Sequence, residues 1–213
     1  MMKLNRKVLF SATLATVVLA ACGTTEAPAT DTTPTPTGTE QITYSVDTAT
    51  SAVDWKGTMV AVKSHTGTLH FREGEVSTTG GVLSGGSFTV DMQSYLMTDT
   101  NYAKDGSPKG TRADLTAHLM SADFFAADSF PTAHFVITKV DGNTATGNLT
   151  VRGHTNEEQV KNITLTTEGS TIRATGELTF NRQTYGVSWK SPMQDMVLSN
   201  DIVLTVDLKG TAN

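Results

Sequence analysis

Apolar and polar residues alternate with a period of two through most of the chain from residue 42 onward. Val53 and Trp55 alternate with Asp54 and Lys56, and the longest such run extends over residues 172–180. This period is typical of β-strands with one buried and one exposed face. Runs of this kind occur at residues 53–56, 69–72, 88–93, 134–138, 149–152, 163–166, 172–180 and 202–209.

Short turn sequences separate most of these runs. Gly80-Gly81, Asp141-Gly142-Asn143 and Glu168-Gly169-Ser170 lie between alternating segments and predict tight hairpins. Eight antiparallel strands can close into a barrel or stack as a sandwich, and regular hairpin connectivity favours an up-and-down barrel. We therefore predict a mainly β domain over residues 42–213, which is long enough for one well-buried core.

One segment departs from this alternation. Residues 112–122 place Leu115, Leu119 and Ala122 at helical spacing and contain no Gly or Pro, so we predict one short helix there. The helix lies in a long connection near residues 94–131, and such an insertion on a hairpin-built barrel is a natural lid or mouth element. We expect the mouth to include Tyr95, Tyr102 and Arg112.

The alternation also predicts which side chains face the interior of the barrel. These predicted lumen residues are Val53, Trp55, Leu69, Phe71, Phe88, Val90, Met92, Phe135, Ile137, Leu149, Val151, Ile163, Leu165, Leu178, Phe180, Ile202, Leu204 and Val206. A barrel of eight strands is either filled by such side chains or hollow enough to hold one ligand. The alternation does not distinguish these two cases.

The chain begins with the pattern of a secretory signal over residues 1–21. Three basic residues precede an apolar run over residues 8–21, which is shorter than the roughly 20 residues of a membrane span. The run ends with the small residues Ala20 and Ala21, and Cys22, the only cysteine of the chain, follows directly. Leu19-Ala20-Ala21-Cys22 resembles the lipobox of bacterial lipoproteins, in which the signal is cleaved before the cysteine and the thiol is acylated, for example with palmitate. Gly23 rather than Asp follows the cysteine, which favours the outer over the inner membrane in Gram-negative lipoproteins.

Residues 22–41 consist of the predicted acylated cysteine and a Thr- and Pro-rich stretch. This composition cannot bury a core and predicts an extended tether that reaches up to roughly 60 Å. Loss of residues 1–21 removes three positive charges, so the net charge changes from −5 to −8. An acidic domain is a poor candidate for nucleic-acid binding. We expect a lipid-anchored protein of the bacterial cell envelope, in the periplasm or at the cell surface, that contacts the membrane through Cys22.

The residue types that carry catalysis or bind metals form no known motif. The chain has no His-Glu-x-x-His, no cysteine cluster and no Gly-x-Ser-x-Gly. Asp114 and His118 lie four residues apart on the predicted helix, and the commoner explanation for such a pair is a surface hydrogen bond near the start of a helix. We therefore predict that the chain is not an enzyme, holds no metal and requires no cofactor.

Several segments carry a family resemblance, in the correct order along residues 43–210. The most specific runs from Asp114 through Phe124-Phe125 to Pro131 and Phe135. Others are Tyr44 to Trp55, Gly85 to Met92, Gly147 to Thr155, the Arg-x-x-Tyr-Gly pattern of Arg182 to Gly186, and Asp201 to Val206. Together these segments resemble the YceI-like family, the lipid- or polyisoprenoid-binding, lipocalin-like domain.

This resemblance implies an eight-stranded, lipocalin-like antiparallel barrel with an apolar lumen. It also implies a long-chain apolar ligand, such as a polyisoprenoid, an isoprenoid quinone or a fatty-acyl lipid, bound for transport, storage or scavenging. Members of the family are often dimers, so a homodimer is an expectation from resemblance, although no residue pattern predicts an interface. The alternative function is that of a structural or adhesive surface lipoprotein with a solidly packed barrel.

Overall fold

A computed structural model describes residues 40–60, 63–191 and 197–213. The predicted signal peptide over residues 1–21, Cys22 and nearly all of the 22–41 tether lie outside the described residues. The predictions made for them, including acylation, therefore remain predictions. In the described part of the chain, no helix is long and apolar enough to cross a bilayer.

The described chain contains ten strands, one α-helix and one short 3-10 helix. In chain order they are β1 (Gln41–Val46), β2 (Ala52–Met59), β3 (Lys63–Thr79), β4 (Val82–Asp91), β5 (Leu96–Met97), α1 (Arg112–Met120), β6 (Thr132–Asp141), β7 (Thr144–Val151), β8 (His154–Glu168), β9 (Thr171–Asn181), the 3-10 helix (Arg182–Tyr185) and β10 (Leu198–Ala212).

Eight of these strands form a closed barrel. Strands β2, β3, β4, β6, β7, β8, β9 and β10 each pair antiparallel with the next in this order. Strand β10 pairs back with β2, which closes the sheet and leaves these strands without a free edge. The predicted eight-stranded, up-and-down antiparallel barrel is confirmed.

Strands β1 and β2 occupy the same position in the barrel wall, one after the other. Strand β1 pairs with residues 75–79 of β3, whereas β2 pairs with residues 63–70 of the same strand. A turn between them is held by Asp47, whose carboxylate accepts hydrogen bonds from the Ala49 amide at 3.0 Å and the Thr50 hydroxyl at 2.7 Å. The alternating runs predicted from the sequence begin at residue 53, so alternation did not predict β1.

The predicted hairpin turns are confirmed, and they define one end of the barrel. Gly80-Gly81, Gly142 and Gly169 lie between β3 and β4, β6 and β7, and β8 and β9, respectively, and all four glycines have positive φ. Because the strands alternate in direction, these three turns lie at the same end, which we name the hairpin end. The opposite end, which carries α1, is the helix end.

The long connection between β4 and β6 covers the helix end. The helix predicted over residues 112–122 is observed as Arg112–Met120. Its first turn is closed by a capping box, in which the Thr111 hydroxyl accepts from the Asp114 amide and the Asp114 carboxylate accepts from the Thr111 amide. The two-residue strand β5 precedes it and pairs with Gly67 and Thr68 of β3, which fixes the start of the connection to the barrel wall.

Two apolar clusters lie toward the two ends of the barrel. The hairpin-end cluster comprises Tyr44, Val53, Phe71, Val76, Ile172 and Leu208. The helix-end cluster includes Leu119 of α1, the Phe124-Phe125 pair that follows it, and Tyr185 and Val187 after β9. The interior between these clusters is not completely filled by side chains.

Candidate functional site

A cavity of about 440 Å³ runs along the inside of the barrel. It extends from Val76 and Leu83 near the hairpin end to Leu115 and Leu119 of α1 at the helix end. Its volume falls within the roughly 300–1,000 Å³ of small-molecule pockets. The barrel is therefore hollow, in contrast to the solidly packed barrel of the alternative function.

The structure places all of the predicted lumen residues along this cavity except Leu165. They are apolar, and the wall they form offers almost no hydrogen-bonding group to the interior. A ligand in this part of the cavity gains from burial of apolar surface and needs no directional polar contact. Their role in ligand binding remains a prediction.

Leu165 is the exception because it lies on the hairpin-end side of the cavity. A bulge in β8 occurs between Lys161 and Thr164, where Asn162 has a φ of 55°. The extra residue changes the phase of the alternation, so that Ile163 and Leu165 follow Val160 as the inward residues, with Leu165 nearer the hairpin end. There Leu165 is half-buried and packs against the hairpin-end cluster.

Several cavity-lining residues were not predicted. Val160 lies in the polar run Glu157-Glu158-Gln159-Val160-Lys161, which shows no strand alternation of apolar residues. Trp189 and Leu198 come from the β9–β10 connection and the start of β10. Phe124 and Phe125 follow α1, and their apolar pair was a signal that could have placed them in the wall under the helix.

Aromatic rings form a continuous arc under the helix end. The ring of Trp55 meets Tyr95 edge-on at 6.0 Å between centroids, and Tyr95 stacks on Phe125 at 6.3 Å. Phe125 in turn contacts Phe124 at 5.0 Å. Tyr95, predicted at the mouth, is thus half-buried inside the wall, and burial raises the pKa of its hydroxyl.

His118 completes this arc on the inner side of α1. Its ring lies 5.4 Å from Phe124 and 4.7 Å from Trp189, both edge-on. Burial lowers the pKa of its imidazole, and the charge of Asp123 opposes this only in part. The expectation of a surface hydrogen bond between Asp114 and His118 is wrong, because Asp114 caps the helix and the Nε2 atom of His118 is buried without a partner.

The cavity reaches the surface at the helix end. Its lining there includes Lys63, Gly110 and Asp114, all of which are exposed. Together with Met59 and Tyr102 these residues form the mouth. Tyr102 is therefore at the predicted place.

Arg112, also predicted at the mouth, does not line the cavity. Its guanidinium lies over the Tyr102 ring, 5.5 Å from the centroid. Its Nη2 atom donates to the Asp99 carbonyl at 3.4 Å. Arg112 therefore contacts the mouth residue Tyr102 without lining the cavity itself.

A polar cluster around Asp99 holds one side of the mouth. The Asp99 carboxylate accepts from the Tyr102 hydroxyl at 2.6 Å, the Asn101 amide at 2.9 Å and the Thr66 amide at 3.0 Å. Nδ1 of His65 lies 3.2 Å from the same carboxylate, and the His65 ring stacks on Tyr102 at 4.8 Å.

The hydrogen bonds of this cluster set its charges. Burial alone would raise the pKa of Asp99, but the bonds from Tyr102, Thr66 and Asn101 outweigh it and lower the pKa to about 2. Burial, followed by the charge of Lys63, lowers the pKa of His65, and Asp99 opposes this only in part. At neutral pH the cluster therefore contains a carboxylate and a neutral imidazole.

Arg182 holds the β9–β10 connection beside the cavity. Its side chain is buried, and it donates to the Val187 carbonyl at 2.6 Å and the Ser199 carbonyl at 3.0 Å. Tyr185, three residues later, donates to the Glu158 carboxylate at 3.0 Å. The Arg-x-x-Tyr-Gly pattern is thus a structural turn that fixes the wall carrying Trp189.

Within the described ranges, no group of three or more His, Cys, Asp or Glu residues is arranged to hold a metal ion. The site is therefore a long apolar cavity with a small polar cluster at its mouth.

Two solved structures share this fold. The crystal structure of Burkholderia cenocepacia BcnA matches with a TM-score of 0.55 and 19% identity, over 78% of this chain and 99% of that chain. The structure of a polyisoprenoid binding domain from Saccharophagus degradans, implicated in plant cell wall breakdown, matches with a TM-score of 0.51 and 12% identity, over 80% of this chain and 98% of that chain. At these identities the likeness shows the fold alone.

The sequence comparisons identify the family. A UPF0312 protein of Staphylococcus aureus (strain USA300) is 32% identical over 104 residues, which cover 45% of this chain and 57% of that relative. The chain thus spans little more than half the length of the curated relatives it matches. The family model of the YceI-like domain matches residues 44–210, and the chain belongs to the YceI-like family.

Proposed function

We propose that this protein binds a long-chain apolar ligand inside the barrel. The observation that carries this proposal is the cavity of about 440 Å³ with an almost wholly apolar wall. The lining side chains have no protein atoms on their cavity side, and an apolar chain would supply contacts there. The similar Saccharophagus degradans domain is described as polyisoprenoid-binding, which supports a ligand of this class.

The ligand class follows from the shape and polarity of the cavity. Polyisoprenoids, isoprenoid quinones and fatty-acyl lipids all carry a long tail that fits a narrow apolar lumen. Burial of one five-carbon unit contributes roughly 3–4 kcal/mol before the cost of ordering the chain. Any polar head group would be placed at the mouth, where the cavity meets Lys63, Tyr102 and Asp114.

The biological role that we propose is transport, storage or scavenging of such a lipid in the bacterial cell envelope. The lipobox at Leu19–Cys22 and the Thr- and Pro-rich stretch after it support a membrane-tethered lipoprotein, with the outer membrane preferred. Binding rather than catalysis is the proposed activity, and a homodimer remains an expectation. The hollow interior favours this role over that of a surface protein with a solid barrel.

The test compares two variants on the same strand. Leu204 lines the cavity, whereas its neighbour Val203 points outward and is exposed. Leu204→Trp fills the lumen with a large ring, so we expect the affinity for a long-chain fluorescent lipid to fall about tenfold. Val203→Trp adds the same ring to the outer surface and should retain wild-type affinity. Displacement of the probe by an isoprenoid quinone measures binding of the proposed ligand class.

Two results would contradict the proposal. The first is the absence of saturable lipid uptake by the wild-type protein. The second is equal affinity in the two tryptophan variants, because uptake that ignores a filled lumen must occur at another surface. Thermal unfolding of both variants checks that each retains the barrel.

A further inference from the structure

The polar cluster at the mouth has a fixed direction of hydrogen bonding. Asp99 accepts three hydrogen bonds, two from backbone amides, which can only donate, and one from the Tyr102 hydroxyl. A carboxylate so surrounded is ionised and has no proton to give. Nδ1 of His65, 3.2 Å away, must therefore carry the proton of the neutral ring and donate it to Asp99.

The other ring nitrogen of His65 is then an acceptor. In the neutral imidazole, protonation of Nδ1 leaves a lone pair on Nε2. His65 lines the cavity, and its side chain is 16% exposed. No hydrogen bond among the described residues involves Nε2, so no donor in this part of the chain competes with a ligand for its lone pair.

The remaining buried polar atoms of the wall do not compete for this role. The Nε1 atom of Trp55 and the Nε2 atom of His118 lack partners, but each has almost no accessible surface and is packed within the wall. Neither can reach a ligand without movement of the surrounding rings. Hydrogen bonding to a ligand therefore concentrates at the mouth.

The charges that face His65 leave its acceptor character intact. Lys63 lies on the same strand, and its Nζ donates to the Asn101 carbonyl at 3.4 Å. Arg112 lies over the Tyr102 ring, on which His65 also stacks. Asp114, across the mouth, is an acceptor as well, and its carboxylate also receives the Thr111 amide. A positive charge close to His65 disfavours a second proton on the ring.

We propose that the mouth selects lipids whose head group donates a hydrogen bond, such as a prenyl alcohol or a hydroquinone, over lipids whose head group only accepts. The acceptor is Nε2 of His65, and Asp99 is a positioning residue that fixes the tautomer. This inference rests on the proposed function, since it assumes that the tail lies in the lumen. A head group without a donor leaves the Nε2 lone pair unsatisfied when the mouth is covered.

A matched pair of ligands tests this preference. Geranylgeraniol and its methyl ether share one tail and differ in a single hydroxyl hydrogen. At pH 8 we expect the full-length wild-type protein to bind the alcohol roughly 3- to 10-fold more tightly than the ether. His65→Phe keeps a flat ring next to Tyr102 but removes the acceptor, and we expect the ratio of the two affinities to fall to about one.

A second variant tests the positioning role of Asp99. In Asp99→Asn, the side-chain amide can donate to Nδ1, which moves the proton of the imidazole to Nε2 and turns the acceptor into a donor. We expect this variant to lose or reverse the preference for the alcohol. A variant that only loosened the mouth would weaken both ligands in parallel and leave the ratio at its wild-type value, which would overturn the role of Asp99.

Two measurements separate failure of this inference from failure of the proposed function. Equal affinity of the wild-type protein for alcohol and ether overturns the inference, although lumen binding stands. No saturable binding of either ligand overturns the proposed function. Nitrogen NMR of the His65 ring reads the tautomer directly: a protonated Nδ1 supports the inference, and a protonated Nε2 at pH 8 overturns it.

Discussion

Asp99 is the residue on which the charge and shape of the mouth depend. Its side chain is only 12% exposed, yet it remains ionised because the Tyr102 hydroxyl and two backbone amides donate to it. The same bonds tie the segment after β5 to strand β3 and hold Tyr102 beside the cavity. Loss of this carboxylate therefore affects both the stability of the loop and the hydrogen bonding of His65.

The pKa of Asp99 predicts a stability change in acid. Its folded-state pKa of about 2 lies below the ordinary value of 3.8, so its contribution is present above pH 3.8 and is lost as the pH falls toward 2. We expect Asp99→Asn to lower the free energy of unfolding by roughly 1–2 kcal/mol at pH 7, through loss of charge-assisted hydrogen bonds. Urea unfolding at pH 7, 4, 3 and 2 measures this difference.

The expected signature is that the two stability curves converge as the pH approaches 2. Asp54→Asn is the matched control, because Asp54 is exposed on β2 and accepts one bond from the Thr68 hydroxyl. A constant difference between wild type and Asp99→Asn from pH 7 to 2 would show that lost packing, rather than the ionised carboxylate, causes the effect.

At the residue scale, alternation predicted the lumen but not the mouth. Side chains along a strand have a period of two, so inward positions follow from local sequence alone. Leu165 keeps the inward phase of Ile163 after the bulge at Asn162 and misses the cavity because it packs against the hairpin-end cluster. His65 and Asp99 are 34 residues apart and belong to different elements. Their contact depends on the path of the β4–β6 connection, which no local pattern specifies.

At the element scale, the Trp55 ring of β2 can pack against strand β3 only because Gly67 of β3 has no side chain. A Cβ added at Gly67 would lie 2.6 Å from the Leu96 carbonyl oxygen and 2.6 Å from the Trp55 ring. Because one of these atoms is backbone of β5, the strain cannot be relieved by a rotamer change. We expect Gly67→Ala to lower the free energy of unfolding by about 1–3 kcal/mol in chemical denaturation.

Gly85 in β4 provides the comparison for this substitution. A Cβ at Gly85 meets no atom within 4 Å, so Gly85→Ala should be neutral or slightly stabilising, since alanine restricts the unfolded chain. Equal stability of the two alanine variants would contradict a close approach at Gly67. Near-ultraviolet circular dichroism of Gly67→Ala reports whether Trp55 has moved.

The elements themselves were predictable to different extents. The hairpins and α1 follow from glycine turns and from a helical spacing with a Thr111–Asp114 capping box, which are local signals. Strand β5 has two residues, and its pairing with β3 depends on tertiary placement. The turn between β1 and β2 depends on the hydrogen bonds that the Asp47 carboxylate accepts. It interrupts two strands that pair with successive parts of β3.

At the scale of the whole molecule, the two ends of the barrel have different roles. The cavity opens at the helix end, near Lys63 and Asp114. The chain enters at the hairpin end, where Gln41 pairs with Thr79 and the Gly80 amide donates to the Glu40 carbonyl at 3.1 Å. A membrane anchor at Cys22 would thus be attached to the end that lies opposite the mouth.

This polarity gives the length of the predicted tether a testable consequence. Strands of up to 17 residues at a tilt of about 40° make the barrel roughly 40 Å long. If residues 22–41 form the predicted tether, its reach of up to roughly 60 Å would allow the mouth to turn back to the membrane that holds the anchor. Deletion of residues 26–37 leaves a tether of roughly 20 Å, which is too short for this reversal.

We therefore expect the deletion to slow the uptake of a fluorescent prenyl lipid from the membrane that carries the anchored protein, about tenfold or more. Affinity for the same lipid presented in detergent should stay at the wild-type value, because the deletion leaves residues 40–213 intact. A Gly/Ser segment of equal length in place of residues 26–37 restores the fully extended length of the tether and should restore uptake, although such a segment is more flexible. Cys22→Ser removes the predicted acylation site and reports uptake without an anchor.

If the shortened protein takes up lipid as fast as the wild type, the mouth does not need to reach its own membrane, and delivery from elsewhere in the envelope becomes the better account.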